Sequence, residues 1–290
     1  MIVNEPIYIV KDVPGKGRGM FATRDIHHGE CIISEEPLVF VVPNLVVTMV
    51  SIQAMSKKNK KSFYALHNVH QNLPTELGIV KTNALPLGQD AVDAAVYRVI
   101  SRINHSCSPN VRHSWNSKKR KECIYAVREI EEGSEILTCY FDPLSVRKER
   151  KKFLLENFKF DCQCSICAVS SSSEYDAIVT RINICSDLIM KYAGSNPKMA
   201  MQLVREVVRL LDSIGGPGGL GRKTAFYYDG YQLSAMYSDY KLAQEWADLL
   251  LESYRMGEGE DGVEYERYLQ YSRNPRSHER AGMAGRLILS

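Results

Sequence analysis

The sequence predicts an α+β protein, a mostly-β first domain followed by an α-helical second one. Three observations predict it. Short β-branched runs cut by glycine-rich turns fill the chain up to about residue 145. A charged stretch and a tight group of cysteines, Cys162, Cys164 and Cys167, close that region. Beyond residue 175 apolar residues recur at steps of three and four, as on one face of a helix.

The first strand material is "IYIVKDV" and "CIISEEPLVFVV", broken at the glycine-rich points "PGKGRGMFA" and "HHGE". Residues 44–72 change character, and "FYALHNV" after a lysine-rich stretch predicts a helical insert. β-like segments return with "NVRHSWN", "CIYAVREI" and "SEILTCYF", separated by the turns "SKKRKE" and "EEGS". "PLSVRKERKKFLLENFKF" reads as a charged helix leading into the cysteines, so the first domain spans residues 1–168.

A serine run makes residues 169–175 a linker. Over 176–272 three sets keep helical spacing: Ile178, Ile182, Cys185, Ile189 and Tyr192; Leu203, Val207 and Leu210; Leu242, Trp246 and Leu249. The aromatic-rich "FYYDGYQLSAMY" belongs to the core they form. A helical array of tetratricopeptide type is one form this domain could take, although no repeat of about 34 residues is legible. Residues 273–290 lack periodicity and are expected to be loose.

Bulk properties bound the function. With 290 residues, 44% of them hydrophobic, there is material for two cores. A net charge of +3 from 37 basic and 34 acidic residues gives no whole-chain case for nucleic-acid binding, and "KKNKK" and "KKRK" read as solvated faces or turns. The start, "MIVNEPIYIV", has Asn and Glu where a secretory signal needs a basic opening. No run approaches the roughly 20 apolar residues of a membrane span. A soluble, intracellular protein with no membrane partner is expected.

In a reducing compartment eight cysteines do not imply disulfides. "DCQCSIC" instead has the C-x-C-x-x-C spacing that can wrap a metal, and three thiolates are one short of the tetrahedral set that structural zinc prefers. Candidates for the fourth ligand are Cys31, Cys107, Cys123, Cys139, Cys185 and the seven histidines. Cys107 leads because it lies in "NHSCSPN", a turn with no strand to bury it; its other reading is a small buried hydrophobe.

"GKGRGMFA", "SRINHSCSPN", "EEGSEILTCYFD" and "FKFDCQCSIC" occur in the order and spacing of SET-domain protein lysine methyltransferases. The chain resembles that family over residues 8–168, and within it the SET-and-MYND branch and its fungal relatives. "TNALPLG" fits the segment that precedes the asparagine-histidine motif there, and the cysteine-free stretch after "EEPLVFVV" lacks the MYND finger. The resemblance implies a knot-like loop, a post-SET zinc site on Cys107, Cys162, Cys164 and Cys167, and S-adenosylmethionine as methyl donor. It implies that Lys16, Gly17, Arg18, Asn104, His105, Tyr140 and Phe160 bind that cofactor, that Tyr140 is catalytic, and that Phe158 lines the lysine channel. Phe158 stands where the family often has tyrosine. The substrate implied is a lysine-bearing protein segment, a histone tail among the options, with action in the nucleus, the cytoplasm or both.

Two other readings remain beside the enzyme. A SET fold without activity could serve as a scaffold or transcriptional regulator, and a zinc-stabilised structural protein would explain the cysteines alone. The joint match of Tyr140, Asn104, His105 and Phe160 favours the enzyme.

Overall fold

The computed structural model describes residues 6–88, 91–168, 172–215, 219 and 221–289. The chain divides into two units, Met1–Tyr140 with Lys148–Gln163, and Phe141–Arg147 with Cys164–Ser290.

The first unit carries three small sheets. β1 (Tyr8–Val13) and β2 (Gly17–Ala22) form a hairpin in register from Tyr8 opposite Ala22 to Val13 opposite Gly17. Its turn is closed by the Lys16 N–H on the Val13 carbonyl at 3.0 Å, with Gly15 and Gly17 at φ 73° and 74°, a region open mainly to glycine. The expectation that all of "PGKGRGMFA" interrupts strand structure is therefore corrected: only its first three residues turn. β10 (Glu135–Thr138) pairs antiparallel with β2 and parallel with β7 (Asn104–His105), giving the order β1-β2-β10-β7.

The second sheet has the order β3-β9-β8, from β3 (Cys31–Glu35), β9 (Lys121–Ala126) and β8 (Val111–Asn116). The third has β6 (Ala94–Val96) between β4 (Val39–Val41) and β5 (Leu85–Pro86), and Pro86 is tolerated because β5 is an edge. Met20, Ile26, Tyr97, Ile100, Ile124 and Ile136 fill one core.

Helices α1 (Leu45–Ala54) and α2 (Lys57–Tyr64) occupy the insert, and α3 (Thr75–Asn83) follows beyond its expected end at residue 72. Asn44 caps the first by accepting from the N–H groups of Val46 and Val47, and Ser56 caps the second by accepting from that of Asn59. Ile52, Phe63, Ile79 and Val80 fill a separate cluster beneath them. The charged stretch is α4 (Arg147–Phe158).

The second unit contains α5 (Ser165–Ala168), α6 (Ser172–Tyr192), α7 (Pro197–Gly215), α8 (Lys223–Met236), α9 (Tyr240–Glu258) and α10 (Tyr265–Arg273). From α6 to α10 each helix lies against the next in the chain. Val179, Ile182, Cys185, Leu203, Val207, Tyr231 and Trp246 are buried together. Leu249 is exposed where Leu250 is buried, because Ala243, Ala247 and Tyr254 turn the inward face of α9 toward position 250.

Two expectations need correction here. Of the linker over 169–175, residues 169–171 lie outside the described residues, while α6 already begins at Ser172, with Glu174 favourably placed in the positive first turn. The tail is not loose. Gly282, Ala284 and Leu287 donate backbone N–H groups to the carbonyls of Ala235, Met236 and Tyr237, and the Leu289 side chain is buried. Backbone pairing needs no periodicity in the side chains, so the pattern did not announce it. Among the described residues no helix is long and apolar enough to cross a membrane.

Candidate active site

β7 is two residues long, and its place is set by what surrounds it. The preceding 3-10 turn, Ile100–Arg102, is held by a half-buried carboxylate: Glu35 accepts the N–H groups of Arg98, Val99 and Ile100 at 2.9 to 3.1 Å. Burial nevertheless pushes the Glu35 carboxyl above its usual range, the three N–H groups opposing it. Past β7, the Ser106 N–H donates to the Thr138 carbonyl at 2.8 Å and the Asn110 N–H to that of Leu137 at 3.0 Å. The Asn110 side chain grips β10 from both sides, donating to the Glu135 carbonyl at 2.9 Å and accepting the Leu137 N–H at 2.7 Å. "RINHSCSPN" is thereby laid along β10 and kept there.

Tyr140 stands two residues past the end of β10. Its backbone N–H donates to Nδ1 of His105 at 3.1 Å, and its hydroxyl donates to the Ile103 carbonyl at 2.9 Å. The ring lies 5.2 Å from that of His105 and 4.6 Å from that of Phe158, centroid to centroid. Phe160 lies 5.9 Å from His105 on the same measure. Burial, and secondarily the charge of Glu135, push the Tyr140 hydroxyl well above the ordinary phenol range. The hydroxyl therefore stays protonated at neutral pH and acts as a hydrogen-bonding group rather than a base.

The glycine-rich hairpin reaches the same place through Gly19. A Cβ built there would stand 2.6 Å from Oε1 of Glu135 and 2.8 Å from Nδ2 of Asn104. Asn104 donates to that Glu135 carboxylate at 2.7 Å, and the ammonium of Lys16 approaches its other oxygen at 3.4 Å. Arg18 pairs with Asp12 at 3.5 Å with both side chains largely in solvent, a contact of little energetic weight. Gly17 opens β2, with open space where a side chain would stand.

Cys107, Cys162, Cys164 and Cys167 form one cluster, with all four sulfurs within 4.8 Å of one another. Cys107 and Cys162 are 3.9 Å apart, close to the roughly 3.8 Å between sulfurs of a tetrahedral zinc site with bonds of about 2.3 Å. Cys164 and Cys167 bracket one tight turn, in which the Cys164 carbonyl accepts the N–H groups of Cys167 and Ala168 at 2.9 Å. His105 touches this cluster too, its Nε2 lying 3.4 Å from the Cys107 sulfur.

The structure thus brings Asn104, His105, Tyr140, Phe158 and Phe160 together, joins the four cysteines, and places Lys16 beside Asn104 through Glu135. Among the described contacts, neither Gly17 nor Arg18 touches this group. Glu135, Glu35 and Asn110 were missed as organisers of the site. Glu135 sits in "EEGSEIL" among surface-looking acids, and nothing in its spacing marks it. Asn110 was read only as a turn residue.

Comparison with known proteins gives a consistent set of likenesses. A family model described as SET domain matches residues 17–141. Over 284 residues the chain is 31% identical to the histone-lysine N-methyltransferase set5 of Schizosaccharomyces pombe, covering 94% of this chain and 85% of that protein. The histone-lysine N-methyltransferase SMYD3 of Mus musculus is 40% identical over 76 residues, 26% of this chain and 17% of that protein. The human histone-lysine N-methyltransferase SMYD1 is 26% identical over 148 residues, covering 46% of this chain and 27% of that protein.

Proposed function

The chain belongs to the SET-domain protein lysine methyltransferases, enzymes that use S-adenosylmethionine, and from that membership we propose that Tyr140 stands at the point of methyl transfer. The observation that carries this is the fixation of the Tyr140 hydroxyl on the Ile103 carbonyl at 2.9 Å, with its ring between those of His105 and Phe158.

The residues present fit the methyl donor. Glycine at position 19 lets the Glu135 carboxylate and the Asn104 amide lie directly against the β2 backbone, which sets Asn104 beside that strand. Asn104 and His105 would hold the adenosine end, with Phe160 against the adenine, and Lys16 would answer the donor's carboxylate once it exchanges its contact with Glu135. By the family's pattern Gly17 and Arg18 would complete that contact, Arg18 once it leaves Asp12. When bound, S-adenosylmethionine supplies a methyl group on a cationic sulfur. Phe158 would line the channel for the lysine. A lysine amine near pKa 10.4 in water is mostly charged, and an apolar channel beside a cation favours the neutral nucleophile on two counts, desolvation and like charge. No side-chain base is required, in keeping with a Tyr140 hydroxyl that holds its proton.

Zinc is the metal that four clustered thiolates suit, and Cys107, Cys162, Cys164 and Cys167 would hold it. It would tie the loop after β7 to the "DCQCSIC" segment, and the segment running along β10 is the candidate for the knot-like loop. The name of the fungal relative makes histones the first substrates to test, with other lysine-bearing proteins of nucleus or cytoplasm next.

The test is methyl incorporation from labelled S-adenosylmethionine into a protein mixture containing histones, with donor binding followed by calorimetry. Incorporation by the parent and its loss in Tyr140→Phe, with donor binding retained, is the expected result. Equal incorporation by Tyr140→Phe removes the catalytic assignment. Donor binding without incorporation into any protein returns the scaffold reading.

A further inference from the structure

β3 and β9 each carry a cysteine that neither the Tyr140 site nor the four-thiol cluster uses. The antiparallel register sets Cys31 opposite Tyr125 and Ser34 opposite Cys123, with an irregularity between Cys31 and Ile33. Positions 123 and 125 point to one face, so the two matches put Cys31, Ser34, Cys123 and Tyr125 on a shared face. The side chains meet there. Cys123 lies 3.4 Å from the Ser34 hydroxyl, and Cys31 and Cys123 are joined by a side-chain hydrogen bond. Both are free thiols; Cys31 is exposed and Cys123 is 4% exposed.

We propose that Cys31 and Cys123 form a peroxide-responsive modification site, in which oxidation joins them as a disulfide across β3 and β9.

The two thiols are suited to different halves of that chemistry. The S–H of Cys31 has the Ile33 carbonyl at 3.6 Å, and the Cys123 sulfur and the Tyr125 hydroxyl lie in reach of it as well. Donation to Cys123 favours a thiolate there, and the Ser34 hydroxyl can turn to donate as well. Cys123 is drawn down to about 6 by these contacts, the one from Cys31 foremost, while Cys31 is raised by the same bond. A thiolate with a second thiol against it is the arrangement of a peroxide-reactive cysteine and its resolving partner.

The steps balance with hydrogen peroxide as oxidant. The Cys123 thiolate attacks one peroxide oxygen, the O–O bond breaks, and the departing hydroxide takes up a proton to leave as water. The sulfur of Cys31 then attacks the sulfenic acid sulfur of Cys123. The S–O bond breaks, the hydroxyl leaves as water with the Cys31 proton, and the S–S bond forms. Two thiols are oxidised and one peroxide is reduced to two waters. Because β3 and β9 are already paired and the two cysteines share a face of that pair, the bond needs local adjustment and not the transport of a strand.

The experiment treats the full-length chain with hydrogen peroxide, blocks remaining thiols and maps tryptic peptides by mass spectrometry. The expected product joins peptide 122–128, "ECIYAVR", to peptide 25–57, which holds Cys31, and disappears on reduction with dithiothreitol. Cys31→Ser, at an exposed position, should lose the cross-link entirely and leave a sulfenic acid on Cys123 that dimedone traps. Three results overturn the assignment: the two peptides staying separate while peroxide oxidises other thiols, either cysteine pairing elsewhere, or Cys31→Ser yielding no dimedone adduct on Cys123.

Discussion

The backbone N–H of Tyr140 donates to Nδ1 of His105 at 3.1 Å, and that single contact decides how the imidazole is protonated. A ring nitrogen that accepts from an amide cannot carry a proton, so in the neutral ring the proton sits on Nε2. Nε2 lies 3.4 Å from the Cys107 sulfur, so the ring donates toward that sulfur while accepting from the strand end that carries Tyr140. One histidine thereby couples the position of residue 140 to the proposed metal cluster, and the carbonyl of Ile103, two residues earlier, anchors the hydroxyl of the same tyrosine.

The pH profile tests the role of that hydroxyl. Burial raises the Tyr140 pKa, so the acid form persists as pH rises and no activity is gained or lost through its ionisation between about pH 6 and 10. kcat/KM should climb with pH as the substrate amine, near pKa 10.4, loses its proton. Tyr140→Phe should lower kcat/KM by about 100-fold or more at every pH without altering the shape of the curve, a loss on the scale of removing one aimed donor. Initial rates across the pH range decide it. A curve that changes shape in the variant would make Tyr140 a proton acceptor after all.

His105→Phe separates the nitrogen contacts from ring packing, since phenylalanine keeps an aromatic body among Tyr140 and Phe160. With Cys107 as a ligand of the proposed zinc, losing a donor to its sulfur should weaken zinc affinity about 10- to 100-fold, read by competition with a chelator. Cys164→Ser should go further and lower the zinc content itself below about one ion per chain, measured by elemental analysis. Unchanged metal retention in both variants would remove the four-cysteine site.

What was legible in the sequence followed from spacing. C-x-C-x-x-C announces a thiol cluster because three thiols within six residues can face one point, and the structure brings Cys107, the leading candidate for the fourth, to them. Helical steps announced α6, α7 and α9, with an error of one residue at Leu249 where small alanines steer the buried face. Illegible were the features held by backbone or by a distant polar partner. Glu35 grips three amides more than sixty residues away, Glu135 gathers Asn104 and Lys16, and the last residues pair with the end of α8. None of these leaves a period in the chain. They are contacts between single residues far apart, which composition and periodicity do not record.

Gly19→Ala probes the close approach at the donor site. Its φ is not in the left-handed region, so backbone strain is not the issue; the new methyl would stand 2.6 Å from Oε1 of Glu135 and 2.8 Å from Nδ2 of Asn104 and from Val13 Cγ2. Those groups must move apart, and overpacking of this kind costs about 1–3 kcal/mol. Donor affinity measured by calorimetry should fall, while the zinc content, set by the cysteines, stays at the parental value. Donor affinity equal to the parent would show that Asn104 and Glu135 take no part in binding.

Asp229 of α8 gives a prediction about stability alone. Burial raises its carboxyl to about 6 from an ordinary value near 3.8, with no compensating partner among the causes. A carboxyl whose folded pKa is the higher one favours the folded state while protonated, and that advantage is lost as pH rises through 4 toward 6 and beyond. At pH 7 the ionised group therefore costs about 1–3 kcal/mol. Asp229→Asn keeps the shape without the charge. It should raise the melting temperature at pH 7 and leave it nearly unchanged at pH 4, where the parental carboxyl is largely protonated in the folded chain. Thermal melts at the two pH values measure the difference, and an equal shift at both would assign the gain to packing rather than to the buried charge.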